Sequence, residues 1–422
     1  MKVLFFALAI AFLIIGLPVA FTVGLSSVIY IYLAGMTPQI IIQRLFTGIN
    51  NTALMAIPFF ILAGELMNRG GIARRLVNLA NAFVGDIHGS LAIVAIIGCM
   101  FFAAISGSGV ATAASMGTIL IPEMLKNKYD RGFATSIVAT ASPIGVIIPP
   151  SISFITYGVL TGTSITDLYL AGIPAGVIMG LLLIGYSYIV SRRNNFRGEV
   201  RKSTAKEKLK AFKDALWALG APVILLGGVF GGIFTPTESA VVAVVYALIV
   251  GIFIYKDMTI KEALDVFLRS ARMAAKIMII ISCATLFAYI LTYERIPQTI
   301  VENVSNLTDN KVVILLIINI ILLVAGTFME TGAIIIITVP LLMPLIAKIG
   351  IHPVHFGLIM TVNTAIGLVT PPFGVCLFTS ASVGEIAVEK LSRKVIIPIL
   401  VMFVGLAIIT YFPQSIMFMV NK

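Results

Sequence analysis

Long apolar runs alternate with short polar connections from one end of the chain to the other. The runs fall near 3–20, 22–36, 53–68, 88–105, 110–125, 132–165, 168–190, 215–233, 239–255, 274–293, 311–328, 332–349, 354–384 and 395–420. A helix needs roughly 17–25 mostly apolar residues to cross a bilayer. Most of these runs therefore predict single membrane-spanning helices, and the fold class they predict is an all-α polytopic membrane protein. Met1–Ala20 has one Lys and no small-residue cleavage site before a soluble body, so it reads as a retained span.

Four places depart from the simple pattern. The runs 88–105 and 110–125 are joined only by Ser106-Gly107-Ser108-Gly109, and 311–328 and 332–349 only by Met329-Glu330-Thr331. Links this short carry no water-exposed loop of their own. They predict helical hairpins over 88–125 and 311–350, re-entrant ones if their tips stay inside the protein, where non-helical backbone at membrane depth is tolerated. The runs 132–165 and 354–384 are too long for one span. The first holds Pro143, Gly145 and Pro149-Pro150, and the second holds Gly367, Pro371-Pro372 and Gly374. Proline lacks the amide proton, clashes with the preceding turn and disfavours helix at the residue before it. Two adjacent prolines therefore predict a helix unwound within the membrane.

These features occur twice. Pro122 is expected to end the first hairpin, and Pro344 lies in the second. Each Pro-Pro follows by 27 residues, from Pro122 to Pro149 and from Pro344 to Pro371. Ile144-Gly145-Val146-Ile147-Ile148-Pro149-Pro150 matches Ile366-Gly367-Leu368-Val369-Thr370-Pro371-Pro372. Each half reads as two spans, an amphipathic connector, a span, another connector, a hairpin, a broken helix and a final span. The expected units are 1–190, a basic cytoplasmic linker at 191–214, and 215–422. Basic residues collect in cytoplasmic connections. On that rule Arg69, Arg74, Arg75, Lys126, Lys128, Arg131, the Arg192–Lys213 stretch, Lys256, Lys261, Arg269, Arg272, Lys276, Lys390, Arg393 and Lys394 fall inside. The first hairpin then enters from the cytoplasm and the second from outside. The halves are inverted repeats, and both termini lie outside, although Lys2 opposes that placement. A repeat whose matching segments are broken is the strongest sequence pointer to a secondary-transporter site.

Composition agrees. Of 422 residues, 59% are hydrophobic and 11% charged, and mean hydropathy is +1.08, against about 45–50% apolar and 25% charged in soluble domains. The net charge of +11 sits in connections without interleaved aromatics, which argues against a nucleic-acid surface. Cys99, Cys283 and Cys376 lie inside apolar runs and read as packing residues. His352 and His355 flank Pro353 with no other metal-ligating residue near, and read as loop residues. No nucleotide loop, Gly-x-Ser-x-Gly elbow or His-Glu-x-x-His is present. The chain reads as neither an enzyme nor an ATPase, needing no cofactor, and an ion gradient would supply the energy.

Candidate chemistry sits at the tips and breaks. Unwound backbone exposes carbonyls that suit a hard cation such as Na⁺, while helix N-termini suit an anion. Candidate Na⁺ ligands are Ser106, Gly107, Gly109, Thr112, Gly145 and Pro149 in the first half, and Met329, Thr331, Gly332, Gly367, Thr370 and Pro371 in the second. Ser106, Ser108, Ser151 and Ser153 carry hydroxyls that can donate to a solute carboxylate. Ser142 lies just before the first break, and the second site also offers Asn363 and Thr364. Small residues at such places can also serve only to let helices pack closely. Glu65, Glu238 and Glu330 are carboxylates in or near membrane segments and candidates for function. Glu238, in Thr235-Pro236-Thr237-Glu238, can equally be a helix cap, and Glu65 can face a connector or partner.

The residues also resemble a known family. Ile57–Met67 (IPFFILAGELM), Phe102–Met124 (FAAISGSGVATAASMGTILIPEM), Ile144–Ser153 (IGVIIPPSIS) and Gly232–Ala240 (GIFTPTESA) resemble the large membrane (M) subunit of tripartite ATP-independent periplasmic (TRAP) transporters, over essentially the whole chain. The resemblance implies import of an organic acid, such as a C4-dicarboxylate, a keto acid or sialic acid, across the bacterial inner membrane, commonly with Na⁺. It implies a periplasmic substrate-binding protein and a small four-helix membrane subunit as partners. Because the first span begins at Met1, that subunit is expected as a separate chain. It implies a fold similar to divalent-anion/sodium symporters and an elevator motion. The alternative is a stand-alone sodium/organic-anion symporter of the same architecture, whose Ser-Asn-Thr hairpin tips are not seen here. A membrane-embedded enzyme or an assembly subunit is the rival from another class, separated from transport by gradient-driven uptake of an unchanged solute.

Overall fold

A computed structural model describes residues 1–84, 87–196 and 204–420. Residues 197–203 of the expected basic linker and 85–86 at the end of an expected connector lie outside the described residues. Within them the regular elements are helices. Eight are long and apolar enough to cross a membrane, or nine if Gln39–Ile49 and Thr52–Arg69, bent 59° apart, form one span.

Several boundaries differ from the sequence reading, each for a local reason. The first two expected spans are helices of 13 residues, Lys2–Ile14, and 15 residues, Val19–Leu33. At about 1.5 Å per residue both fall short of a roughly 30 Å hydrocarbon core. Gly16-Leu17-Pro18 separates them, with Gly16 at positive φ and Pro18 placed before the second helix. Pro122 does not end the first hairpin, because its helix runs on from Gly109 to Lys126 with the proline inside. The connector expected between the runs 239–255 and 274–293 and the span at 274–293 are one helix, Ile260–Tyr293, of 34 residues. No Gly or Pro interrupts it, and Thr259 and Glu262 close its start with a reciprocal capping box.

The broken segments form the centre. The first consists of Arg131–Ala141, Ile144–Ile147 and Ile152–Thr161, with Pro149-Pro150 between the last two. The second consists of Pro353–Gly367 and Val375–Val383, separated by Pro371-Pro372. Both Pro-Pro bonds are cis. Every residue of Pro353–Gly367 except Pro353 is buried. The helices Ser90–Ser106 and Gly109–Lys126 pack against each other, whereas Lys311–Phe328 packs chiefly on Pro353–Gly367.

Other contacts tie the two halves together near the basic end. Gly70 and Gly251 bring two backbones together, so that a Cβ on Gly70 would lie 3.0 Å from the Cα of Gly251. Arg75 pairs with Asp257 and stacks over Tyr255, 3.6 Å from the ring centre. Arg69 pairs with Glu262. These contacts join Ala56–Arg69 to the start of Ile260–Tyr293, and Ile72–Val84 to Tyr255 and Asp257 just before it.

Candidate substrate and ion site

The first hairpin turns at Gly107-Ser108. Gly107 has φ +61°, and a Cβ there would lie 2.6 Å from the carbonyl oxygen of Pro150. Only glycine fits both the left-handed backbone and this approach. Ser108 is extended and caps the outgoing helix, its Oγ accepting from the Ala111 amide at 3.4 Å. The first tip therefore rests on the first Pro-Pro break. It also reaches the second: a Cβ on Gly109 would lie 3.2 Å from Cys376 Sγ and 3.4 Å from Leu368.

A cluster of oxygens lies under this tip. Thr112 Oγ1 donates to the Ser108 carbonyl at 2.7 Å, and Ser106 Oγ lies 3.2 Å from Thr112 Oγ1 and 3.4 Å from the same carbonyl. Gly145 closes the cluster from below, since a Cβ there would sit 2.4 Å from Thr112 Oγ1 and 2.8 Å from the Ser108 carbonyl. In the second half the corresponding Gly367 packs on backbone, where a Cβ would lie 2.5 Å from the Cα of Gly326. The two matched glycines thus meet different partners, and Gly326 carries no signal in the sequence pattern beyond being small. The Thr331 hydroxyl on the second tip is buried and has no hydrogen-bond partner among the described residues.

Both tips and both broken segments line one small cavity of about 40 Å³, whose walls include Ser108, Val146, Ser153, Glu330, Thr331 and Leu368. Adjoining it is a cavity of about 240 Å³ that shares Ser108, Ile152 and Glu330 and adds Ser106, Glu65 and Lys276. Ser106, Ser108 and Ser153 therefore face the space, with Gly107, Gly109, Thr331 and Gly332 beside them. Ser151 does not. It is fully buried, its Oγ donates to the Val146 carbonyl at 2.6 Å, and it caps the helix beginning at Ile152. Thr370 donates to the Ile366 carbonyl at 2.9 Å, and neither it nor Pro149, Pro371 or Met329 lines either cavity.

The three carboxylates separate. Glu330 is exposed to both cavities and Glu65 to the larger one. Glu238 is a cap: its Oε2 accepts from the Thr235 amide at 2.8 Å and the Thr235 hydroxyl at 2.9 Å. Sequence reasoning missed the third wall, formed by Met273, Lys276, Ile277 and Ile280 of the long helix. Its signal was the i, i+3, i+4, i+7 spacing of these four residues on one helical face.

Comparison with known proteins follows the same lines. The family described as "Tripartite ATP-independent periplasmic transporter, DctM component" matches residues 6–415. The isethionate TRAP transporter permease protein DctMQ of Oleidesulfovibrio alaskensis is 45% identical over 408 residues, 96% of this chain; the chain spans 64% of that relative's length. The C4-dicarboxylate large permease DctM of Pseudomonas aeruginosa is 44% identical, covering 88% of this chain and 86% of its own. The sialic acid large permease SiaM of Vibrio cholerae is 36% identical, covering 94% and 93%. In fold, the chain is similar to the YdaH transporter of Alcanivorax borkumensis, with a TM-score of 0.61 at 12% identity over 89% of this chain and 87% of that one. With its apolar helices and a family match over nearly its whole length, the chain belongs to the DctM family of TRAP transporter large permeases and is a multi-pass protein of the inner membrane.

Proposed function

We propose that the chain imports a small organic acid, driven by a Na⁺ gradient, from a periplasmic binding protein and together with a small four-helix membrane subunit. The observation that carries the reading is the meeting of both hairpin tips and both broken segments at adjoining cavities. Secondary transporters place substrate and coupling-ion sites where discontinuous helices meet at a repeat interface. The relatives transport isethionate, C4-dicarboxylates and sialic acid by their names, which supports an organic anion as the solute.

The oxygens under the first tip suit Na⁺: the Ser108 carbonyl, Thr112 Oγ1 and Ser106 Oγ lie within 2.7–3.4 Å of one another. On the second tip the unpartnered Thr331 hydroxyl is an available donor of lone pairs. Ser108 and Ser153, at the starts of helices, hold the solute's anionic group. In this reading the two halves are inverted repeats, the hairpins are re-entrant, and hairpins and broken helices move together as an elevator. The remaining helices, the first two spans of each half together with Ala56–Arg69 and the span within Ile260–Tyr293, form the fixed scaffold, and the amphipathic connectors act as arms.

The test is uptake of radiolabelled isethionate, succinate and N-acetylneuraminate into proteoliposomes holding the chain and its membrane partner. Gradient-driven accumulation of one unchanged solute, only with the binding protein present, is expected. Equal uptake without the binding protein would replace this reading with a stand-alone symporter.

A further inference from the structure

We propose that Lys276 is the counter-charge that makes the larger cavity receptive to an anion; this rests on the organic-acid reading above. Three charged side chains line that cavity: Glu65, Glu330 and Lys276. Glu65 lies on Ala56–Arg69, Glu330 on the second tip and Lys276 on the long helix. Lys276 has an exposed side chain and forms no ion pair among the described residues. Without it the lining would carry only carboxylates beside the serines proposed to receive the solute; with it, one cation shares that lining with Ser106 and Ser108.

The lysine's position adds to this. Before it the helix carries Lys261, Glu262, Asp265, Arg269 and Arg272, and after it no charged residue follows as far as Tyr293. Lys276 therefore stands where charged helix gives way to apolar helix, with Ile277 and Ile280 of the cavity wall just beyond. Four methylenes let an ammonium reach from such a place. A charge beside a partly desolvated cavity is screened less than in bulk water, so one lysine changes the local anion concentration about tenfold or more. Ala56–Arg69 and Ile260–Tyr293 pack together, so Lys276 belongs to the part proposed to be static. It meets the solute only while the site opens on this cavity.

The experiment reads the cavity's potential directly. Cysteine is placed at Ser108 in a chain whose Cys99, Cys283 and Cys376 are replaced by alanine. Its reaction rates with an anionic methanethiosulfonate, MTSES, and a cationic one, MTSET, are compared in membranes holding the full complex. Lys276→Gln is expected to lower the MTSES-to-MTSET ratio at least about tenfold, Lys276→Arg to preserve it, and Lys261→Gln, outside the cavity, to leave it unchanged. An unchanged ratio in Lys276→Gln, or an equal fall in Lys261→Gln, overturns the assignment. The readout does not need transport. A Lys276-dependent ratio without organic-acid uptake by the parent complex would sink the import reading and leave the charge assignment standing.

Discussion

At the scale of single residues, the site depends on close approaches that only glycine permits. A side chain at Gly145 would enter the oxygens of Thr112 and the Ser108 carbonyl. Gly145→Val is therefore expected to abolish solute uptake while membrane insertion persists, measured by uptake alongside labelling of the inserted chain. Uptake at the parent rate would mean the cluster is not used. The hydroxyls divide by what they touch. Ser108→Ala and Ser153→Ala face the cavity and are expected to reduce uptake about tenfold or more, the scale of one lost hydrogen bond to a charged group. Ser187→Ala, in a helix away from the cavities, is expected to leave uptake unchanged, and equal losses at all three would place the site elsewhere. Glu238 belongs to a cap, so Glu238→Ala should lower the thermal unfolding midpoint in detergent without altering uptake. A selective loss of uptake there would give the carboxylate a role beyond the cap.

At the scale of elements, the informative contact joins Ala56–Arg69 to the first hairpin. Asn68 Nδ2 donates to Ser115 Oγ at 2.9 Å, bridging a helix proposed to stay fixed and one proposed to move. Cysteines at Asn68 and Ser115, in a background without the native three, should crosslink and stop uptake, and reduction should restore it. Turnover at the uncrosslinked rate would favour local gating over an elevator. The tips and breaks were legible in the sequence because proline and glycine change backbone chemistry wherever they stand. The Ser106–Gly109 link could only be a tight turn, and Pro149-Pro150 and Pro371-Pro372 could only interrupt helices. Helix ends were less legible where punctuation was weak: Pro122 stays inside its helix, and Ile260–Tyr293 runs through an expected joint. Within the site, Ser151 and Ser153 look alike in sequence. Their difference comes from the cap geometry, which turns Ser151 onto the Val146 carbonyl. In the sequence Lys276 reads only as a cytoplasmic-side charge, because its place on the cavity wall depends on how distant helices pack.

At the scale of the whole molecule, each half supplies one wall of the site and the long helix supplies a third. The halves match in their Pro-Pro breaks, yet Gly145 abuts a hydroxyl cluster and Gly367 abuts the backbone of Gly326. If both halves bind Na⁺, they do so with different ligands. Thr112→Ala and Thr331→Ala should then each raise the Na⁺ concentration needed for half-maximal uptake, more than they change the saturating rate. An effect confined to the saturating rate would remove both from the ion sites. The most direct measurement is solute uptake by the reconstituted complex under imposed gradients, with Na⁺ and pH varied independently. Accumulation driven by inward Na⁺ and absent in Na⁺-free buffer with a proton gradient is the predicted result; full uptake driven by the proton gradient alone, without Na⁺, would contradict the account.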